Sequence, residues 1–471
     1  MKLSSRQTYF ALVALLCCGL AVKLSGASPR IIILFTADNL GPGDLDQERI
    51  ELPNLNFLKD QSTRFNNFHS TSSLKTSAFF SIYSGLDSGQ HIFRDSIHDK
   101  LTIPSSTQPL AKELNKLNFE TAFSGSWPFG NIEELSPEKF GFNFFYGYYN
   151  RLDQHPRFPS SLQFNQDKIE LNNIFIPRNF KFQTDTQLDE NSIYRQFEGQ
   201  DYASEIIHRA TINFIEKKLA GNDKVFLHYA HNGLRPGMQA NPEDLNKTIG
   251  RVPDIPYAGQ NGFTPCFSPR AAQIALLTEL DRHLGELISL LKSKEVFDKS
   301  LIIFTSPNAV SRNGGRDLNF FSSNQNLKGE RGTLYQGGLR TPCLSYWPEI
   351  SKKNDVNSDL ISQTTIYQSI LSVAAGENKP IFLPSTELYW ESASYRALRK
   401  DKYKLIQKKS LLTPSSIQLF DLESDPTEDN NIADEKTAET ESLIKLANSR
   451  HLNLPSAPSP FDIKPENQPD N

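Results

Sequence analysis

The run RIIILFT, from Arg30 to Thr36, constrains this chain more than any other stretch. Unbroken apolar β-formers, without alternation, belong to a strand covered on both faces, and such strands lie in sheets sandwiched by helices. FETAFSG from Phe119, VFLHYA from Val225 and LIIFTS from Leu301 have the same character. Between them lie helical patterns: Leu110–Leu117, and Ala271–Leu291 with Ile274, Leu277, Leu280, Leu284, Leu287 and Leu291 on one face. This alternation predicts an α/β fold, a large mixed, mainly parallel sheet flanked by helices. Near Pro380 the texture changes. Leu388–Gln407 reads as two short strands around a turn, and Glu435–Asn448 as a helix. The pattern predicts a small antiparallel α+β C-terminal subdomain. The predicted organisation is therefore an α/β domain over residues 28–379, the subdomain over 380–453, and a poorly ordered Pro-rich tail over 454–471.

Residues 1–27 read as a signal peptide: Lys2 and Arg6, an apolar run from Phe10 to Val22, then Ser25-Gly26-Ala27. That predicts export to the periplasm or the extracellular space; an N-terminal membrane anchor is the other reading of the same residues. No later segment approaches the ~20 apolar residues of a spanning helix, so no transmembrane segment is expected after cleavage. The formal net charge of -4 over 471 residues, with no long run of like charge, favours neither nucleic acid nor an anionic membrane surface as partner. Cys17 and Cys18 fall in the signal. Cys266 and Cys343 remain, and one disulfide or two buried thiols are both open to them.

Two stretches carry candidate chemistry. Ala37-Asp38-Asn39 places polar groups at the carboxyl edge of the first strand, where open α/β sheets bind ligands. HSTSSLKTSAFFSIYSG, from His69 to Gly85, has the shape of a nucleophile-bearing turn leading into a helix, yet Lys75 stands at its head.

Five segments together resemble the sulfatase family of the alkaline-phosphatase-like superfamily, in its bacterial arylsulfatase type. They are RIIILFTADNLGPGDL; LPNLNFLKDQSTRFNNFHSTSS; FETAFSGSWPFG with KFGFNFFYGYYN; LIIFTSPN with LKGERGTLYQGGLRTPCLSYWP; and SYRALRKDKYKLIQ with IQLFDLESDPTEDNNIAD. The resemblance implies a sulfuric ester hydrolase using a formylglycine made from Cys or Ser, with a divalent cation, usually calcium, on the sulfate oxygens. Aligned on Gly85, the formylglycine position is Lys75 and the motif arginine is Phe79. The metal-ligand positions hold Asp38, Asn39, Pro307 and Asn308, one carboxylate where the family has three. The sulfate-clamp Lys and His positions hold Ser126, Pro128 and Leu234, with only Arg331 retaining a cation; His231, three residues before Leu234, offers a partial substitute.

Calcium takes roughly six to eight oxygens, and affinity rises with ligand charge. The expectation is no cofactor, or calcium only where the residual site still binds it. Deleting one group that stabilises developing charge costs on the order of 10²–10³ in rate, and here several are replaced together. A lysine with an ordinary pKa of about 10.4 is a cation and a poor nucleophile. It is expected to replace the metal among Asp38, Asn39 and Asn308. The resulting expectation is an exported pseudo-sulfatase without catalysis that binds a sulfated glycan or a partner sulfatase; the alternative is a sulfatase with a divergent active site.

Other candidates have plainer readings. His69, His91, His98, His228 and His231 are scattered along the chain and read as structural. Thr76 and Ser77 mark where related phosphatases carry a nucleophile, but the dense Asp/His metal set such enzymes need is missing from the sequence. The aromatics Phe142, Phe144, Phe145, Tyr146, Tyr148 and Tyr149 read as core packing, with sugar stacking as the second reading.

Overall fold

The computed structural model describes residues 28–94, 102–130, 132–149, 157–177, 179–183, 191–377, 379–392, 394–409, 415–454 and 459–462. The signal-peptide reading of residues 1–27 and His98 lie outside them.

A ten-stranded sheet forms the main layer, in the order Asp355–Asn357, Thr63–Phe65, Cys343–Tyr346, Ser300–Thr305, Ile31–Ala37, Lys224–His231, Phe119–Trp127, Phe144–Tyr149, Ser161–Phe164, Asp167–Glu170. The five from Ser300–Thr305 to Phe144–Tyr149 run parallel to one another, and the strands beyond them bring antiparallel pairings. All seven residues of Ile31–Ala37 are buried, as an uninterrupted apolar strand requires. Ile31, Ile33, Phe35 and Ala37 pack into the layer of helices Pro53–Gln61, Ala203–Ala220 and Pro269–Ser293. Ile32 and Leu34 face helices Lys75–Ser84, Leu110–Lys116 and Thr365–Ala374. The period-two alternation of a strand carries this second face on through Thr36 to Asp38, which puts Asp38 on the side of Lys75.

The second sheet is antiparallel and four-stranded: Glu387–Glu391, Tyr395–Lys400, Tyr403–Lys408 and Ser416–Asp421. The span read as two strands around a turn holds three. Tyr403–Lys408 is a strand of its own because the exposed Asp401 takes a left-handed φ of 51°, closing a tight hairpin. Helix Thr437–Arg450 covers one face through Leu443 and Ala447. Trp390 on the other face packs with Leu334 and Leu339 of the glycine-rich segment.

Part of the Pro-rich tail is docked rather than loose. Phe461 is buried, and its ring lies 4.5 Å from the Arg396 guanidinium. His451 bridges Glu391 at 2.8 Å and Asp462 at 2.9 Å. A sequence pattern does not reveal such a contact, because it depends on one aromatic ring finding a distant arginine.

Cys266 and Cys343 are both buried and free. They belong to hydrophobic clusters on opposite faces of the main sheet, which rules out the disulfide reading. Phe142 and Phe145 are core residues, as the packing reading of the aromatic group expects.

Candidate binding site

Lys75 opens its helix with its side chain buried and its ammonium 2.9 Å from Asp38 Oδ2. The two side chains are 7% and 3% exposed. Arg331 Nη1 approaches the other carboxylate oxygen, Oδ1, at 3.5 Å, and that oxygen has no hydrogen-bond partner among the described residues. Arg235 reaches the same place from the next strand: its Nη1 donates to Ser126 Oγ at 2.8 Å and to the Tyr148 hydroxyl at 3.2 Å. Together with Ser73, Leu74, Pro236, Phe263, Asn313 and Gly332 these groups line a cavity of about 240 Å³. Three cations face one carboxylate.

The loop geometry is demanding. Gly233 has φ 51°, and a Cβ there would come within 2.6 Å of the Asp38 carbonyl oxygen. Only a glycine lets the segment pass this close, and the approach is closed by Leu234 N donating to Asp38 O at 2.9 Å. Asn39 is left-handed, at φ 62°, with both side-chain ends occupied. Its Nδ2 donates to Leu234 O at 2.9 Å, and its Oδ1 accepts from Ser311 N at 2.7 Å.

Electrostatics follow from this crowding. Burial alone would raise the Asp38 carboxyl, but the charges of Lys75, Arg331 and Arg235 hold it well below the usual carboxylate range. Burial pushes Lys75 down, Asp38 pulls it back up, and the two arginines lower it again, leaving it at about 8. This corrects the expectation of an ordinary lysine. Lys75 is still mostly a cation at neutral pH.

The residues do not fit calcium. Asp38 is the one carboxylate at the family's ligand positions, and an ammonium already occupies one of its oxygens. Asn39 Oδ1 is committed to a backbone amide. Pro307 lends only its backbone oxygen, which accepts from Ser70 Oγ at 2.8 Å. The Asn308 side chain is buried with neither end hydrogen-bonded among the described residues. That leaves it short of the surrogate role in which it would share the Lys75 ammonium. One free amide oxygen falls far below the roughly six to eight ligands calcium takes.

The residues expected at the clamp positions are engaged in packing and in hydrogen bonds within the protein. Phe79 is fully buried, its ring stacked on His228 at 5.2 Å and lying 5.5 Å beneath the Lys75 ammonium. His228 is held neutral by burial and by Lys75, between Tyr83 OH at 2.6 Å and Thr36 Oγ1 at 3.0 Å. The Pro128 carbonyl accepts from Thr76 Oγ1 at 3.2 Å, and Leu234 is buried in the opposite layer. Thr76 and Ser77 are absent from the cavity lining, so the phosphatase-type nucleophile has no geometric support.

His231 does not substitute for a clamp histidine. The register that pairs it with Ala37 turns it to the other face of the sheet. There His231 Nε2 lies 3.0 Å from His283 Nδ1 and 3.8 Å from Glu279 Oε1, a trio close enough to hold a metal ion. Sequence reasoning found no such grouping because 52 residues separate the two histidines. The hydrogen bonds argue against a metal. Gly233 N–H donates to His231 Nδ1 at 2.9 Å, which leaves the ring proton on Nε2, pointing at His283 Nδ1. His283 Nε2 then donates to Glu205 at 3.2 Å. Every ring nitrogen is spoken for, and the chain anchors the loop that carries Arg235.

Arg235 and Phe263 are the lining residues that sequence reasoning missed. Arg235 directly follows Leu234, which the sequence reading aligns with a clamp histidine, and a cation one position away is the signal that was available. Phe263, at φ 67°, sits in a loop tied to Asn179 and has no sequence signature.

The sulfatase family model matches residues 23–376, about three quarters of the chain. Human N-acetylgalactosamine-6-sulfatase is 23% identical over 374 residues, covering 74% of this chain and 63% of that protein, so the chain spans under two thirds of that relative. The N-acetylgalactosamine-6-O-sulfatase of Bacteroides thetaiotaomicron is 23% identical over 489 residues, covering 89% of this chain and 93% of its relative. Among solved structures, Ps i-CgsB superposes with a TM-score of 0.69 at 20% identity over 92% of this chain and 94% of its own. The same protein in complex with k-i-k-neocarrahexaose gives 0.69 at 19%, with the same coverage. These structural likenesses show a shared fold, a large mixed sheet with a small antiparallel one behind it. The chain belongs to the sulfatase family.

Proposed function

We propose that this chain is a non-catalytic member of its family, exported from the cell, that holds an oxyanion group of a sulfated glycan in the Lys75–Arg235–Arg331 pocket. One observation carries the reading. The position aligned with the formylglycine holds an ammonium that is ion-paired to Asp38 at 2.9 Å. An ammonium paired in this way neutralises the carboxylate and has no lone pair to attack sulfur. Proton and charge together leave the site able to bind an anion but not to split its ester.

The charge balance supports anion binding. Three cations crowded round one carboxylate repel one another, and an oxyanion accepting from two guanidiniums and an ammonium offsets that repulsion. A cavity of about 240 Å³ accepts a sulfate group and the edge of its sugar. It is smaller than the roughly 300–1,000 Å³ of sites that enclose a whole drug-sized ligand. Relatives named for sulfated amino sugars, and a structural neighbour bound to a neocarrahexaose, favour a glycan over a small inorganic ligand.

The test pairs calorimetry with sulfate release on the same sulfated oligosaccharides, with and without calcium. The expected outcome is saturable binding that Lys75→Met weakens, no calcium dependence and no sulfate set free. Catalytic release of sulfate would establish the alternative, a hydrolase with a divergent site. Neither binding nor release would remove the glycan from the proposal.

A further inference from the structure

A second concentration of positive charge lies elsewhere on the molecule, at the seam between the main sheet and the C-terminal subdomain. Arg340 follows the short helix Gln336–Leu339, and Arg399 lies on strand Tyr395–Lys400. Both guanidiniums donate to the same acceptor, Asn67 Oδ1, at 3.2 Å and 3.1 Å. Arg340 also donates to the backbone oxygen of Asn66. These acceptors are neutral.

Neither arginine has a carboxylate within 4.0 Å among the described residues, although carboxylates elsewhere pair readily with arginines, as in Arg94–Glu391 and Arg316–Asp44. The nearest conventional pair, Arg64 with Asp46, is already bidentate, at 2.8 Å and 2.5 Å. Lys404, the other buried cation nearby, is matched by Glu428 at 2.6 Å. What remains is two like charges sharing one amide oxygen, with Arg399 Nε buried and unpartnered among the described residues.

Burial and this repulsion both show in Arg340. Burial, and then the Arg399 charge, push Arg340 down to about 10. Two of the five N–H donors of Arg340 are used by these bonds, and a guanidinium's planar fork matches the geometry of an oxyanion. Arg340 also opens onto a cavity of about 410 Å³, whose lining includes Arg64, Asn66, Gln325 and Pro342. No residue of this cavity is shared with the Lys75 pocket.

We infer that this cavity is a second oxyanion site, in which Arg340 receives a sulfate, as the free ion or as an ester on a glycan. The site has its own cations and does not depend on the reading of the Lys75 pocket. It fits a ligand with more than one anionic group, because the chain presents two separate cation-rich cavities.

Crystals of the wild-type protein soaked in selenate test the inference without any variant. Anomalous selenium density between Arg340 and Arg64 is the expected result; density confined to other places overturns it. In solution, Arg340→Gln is expected to weaken sulfate binding at one of two sites about tenfold or more, the loss of a charge-assisted hydrogen bond. The Lys75→Met protein should keep that same site. Repeating the titration with a sulfated disaccharide distinguishes the sources: tighter binding than free sulfate assigns an ester, and equal or weaker binding assigns the free ion. A sulfate isotherm unchanged by both Arg340→Gln and Arg399→Gln overturns the site. Failure at Arg340 with retained binding at Lys75 leaves the proposed function standing.

Discussion

Among the described residues two lysines are buried against carboxylates, and they do different work. Lys404 and Glu428 are both fully buried, 2.6 Å apart, and the second Glu428 oxygen accepts from Gln336 N at 2.5 Å. Lys75 and Asp38 are nearly as buried, yet Asp38 Oδ1 has no hydrogen bond among the described residues, two arginines crowd in, and a cavity opens beside them. The first pair is closed, with both carboxylate oxygens bonded although Arg399 and Arg340 also stand near the lysine, and it ties the C-terminal sheet to the glycine-rich segment. The second is open. A buried ion pair is by itself weak evidence for either stability or function. The bare carboxylate oxygen and the open cavity are what distinguish a site from a lock.

The largest expected effect breaks the lock. Lys404→Met leaves Glu428 charged, buried and unpaired, and should cost about 3–5 kcal/mol in denaturant unfolding. Lys75→Met should cost less, about 1–2 kcal/mol, because Arg331 and Arg235 remain beside Asp38 and water can enter the cavity. Equal losses at the two positions would erase the distinction between them.

Next in size is an attempt to turn the open pair back into a metal site. Lys75→Ala with Pro307→Asp removes the competing ammonium and adds a carboxylate. Calcium at about 100 times its dissociation constant should then stabilise the double variant by about 2.7 kcal/mol, and the wild type not at all. Thermal melts with and without calcium report both. A wild-type melting temperature that rises with calcium would contradict the misfit of its ligands.

A third test reads His91, buried against Ser81 of the helix that Lys75 opens. Burial, and then Arg94, lower His91 to about 3, while unfolded chains titrate near 6.5. The unfolded state therefore binds the extra proton first, so stability is complete above pH of about 6.5 and falls as the pH drops. At pH 5 the loss should be about 2 kcal/mol from this residue. His91→Gln should flatten that part of the stability curve.

The smallest effect on stability accompanies a loss of binding. Arg235→Gln should weaken a sulfated ligand by about 1.5–3 kcal/mol, measured calorimetrically, with little change in stability, since the glutamine amide can still donate to Ser126 and the repulsion on Lys75 and Arg331 is relieved. Arg331→Gln should do somewhat less, being the more exposed cation, at 26%.

The main architecture was legible because buried strands such as Ile31–Ala37 and helices such as Pro269–Ser293 announce themselves in apolar spacing. So was the closeness of Lys75 to Asp38, which the strand end and the helix start together suggest. What stayed hidden was three-dimensional. The face on which His231 falls depends on strand register, so residue spacing alone suggests a clamp substitute where the structure has a partner of His283. Arg235 enters the pocket only because Gly233 permits a backbone turn over Asp38. The hairpin at Asp401 and the docking of Phe461 likewise depend on a single dihedral and a single distant arginine.

The account stands or falls on what sits next to Asp38 when a ligand is present. Crystals soaked with calcium and a sulfated oligosaccharide show this directly. The account predicts an intact sulfate ester held between Lys75, Arg235 and Arg331, with the lysine ammonium still on Asp38 and no divalent ion there. An ordered calcium bound to Asp38 and Asn308, or a sulfate severed from its sugar, would contradict it.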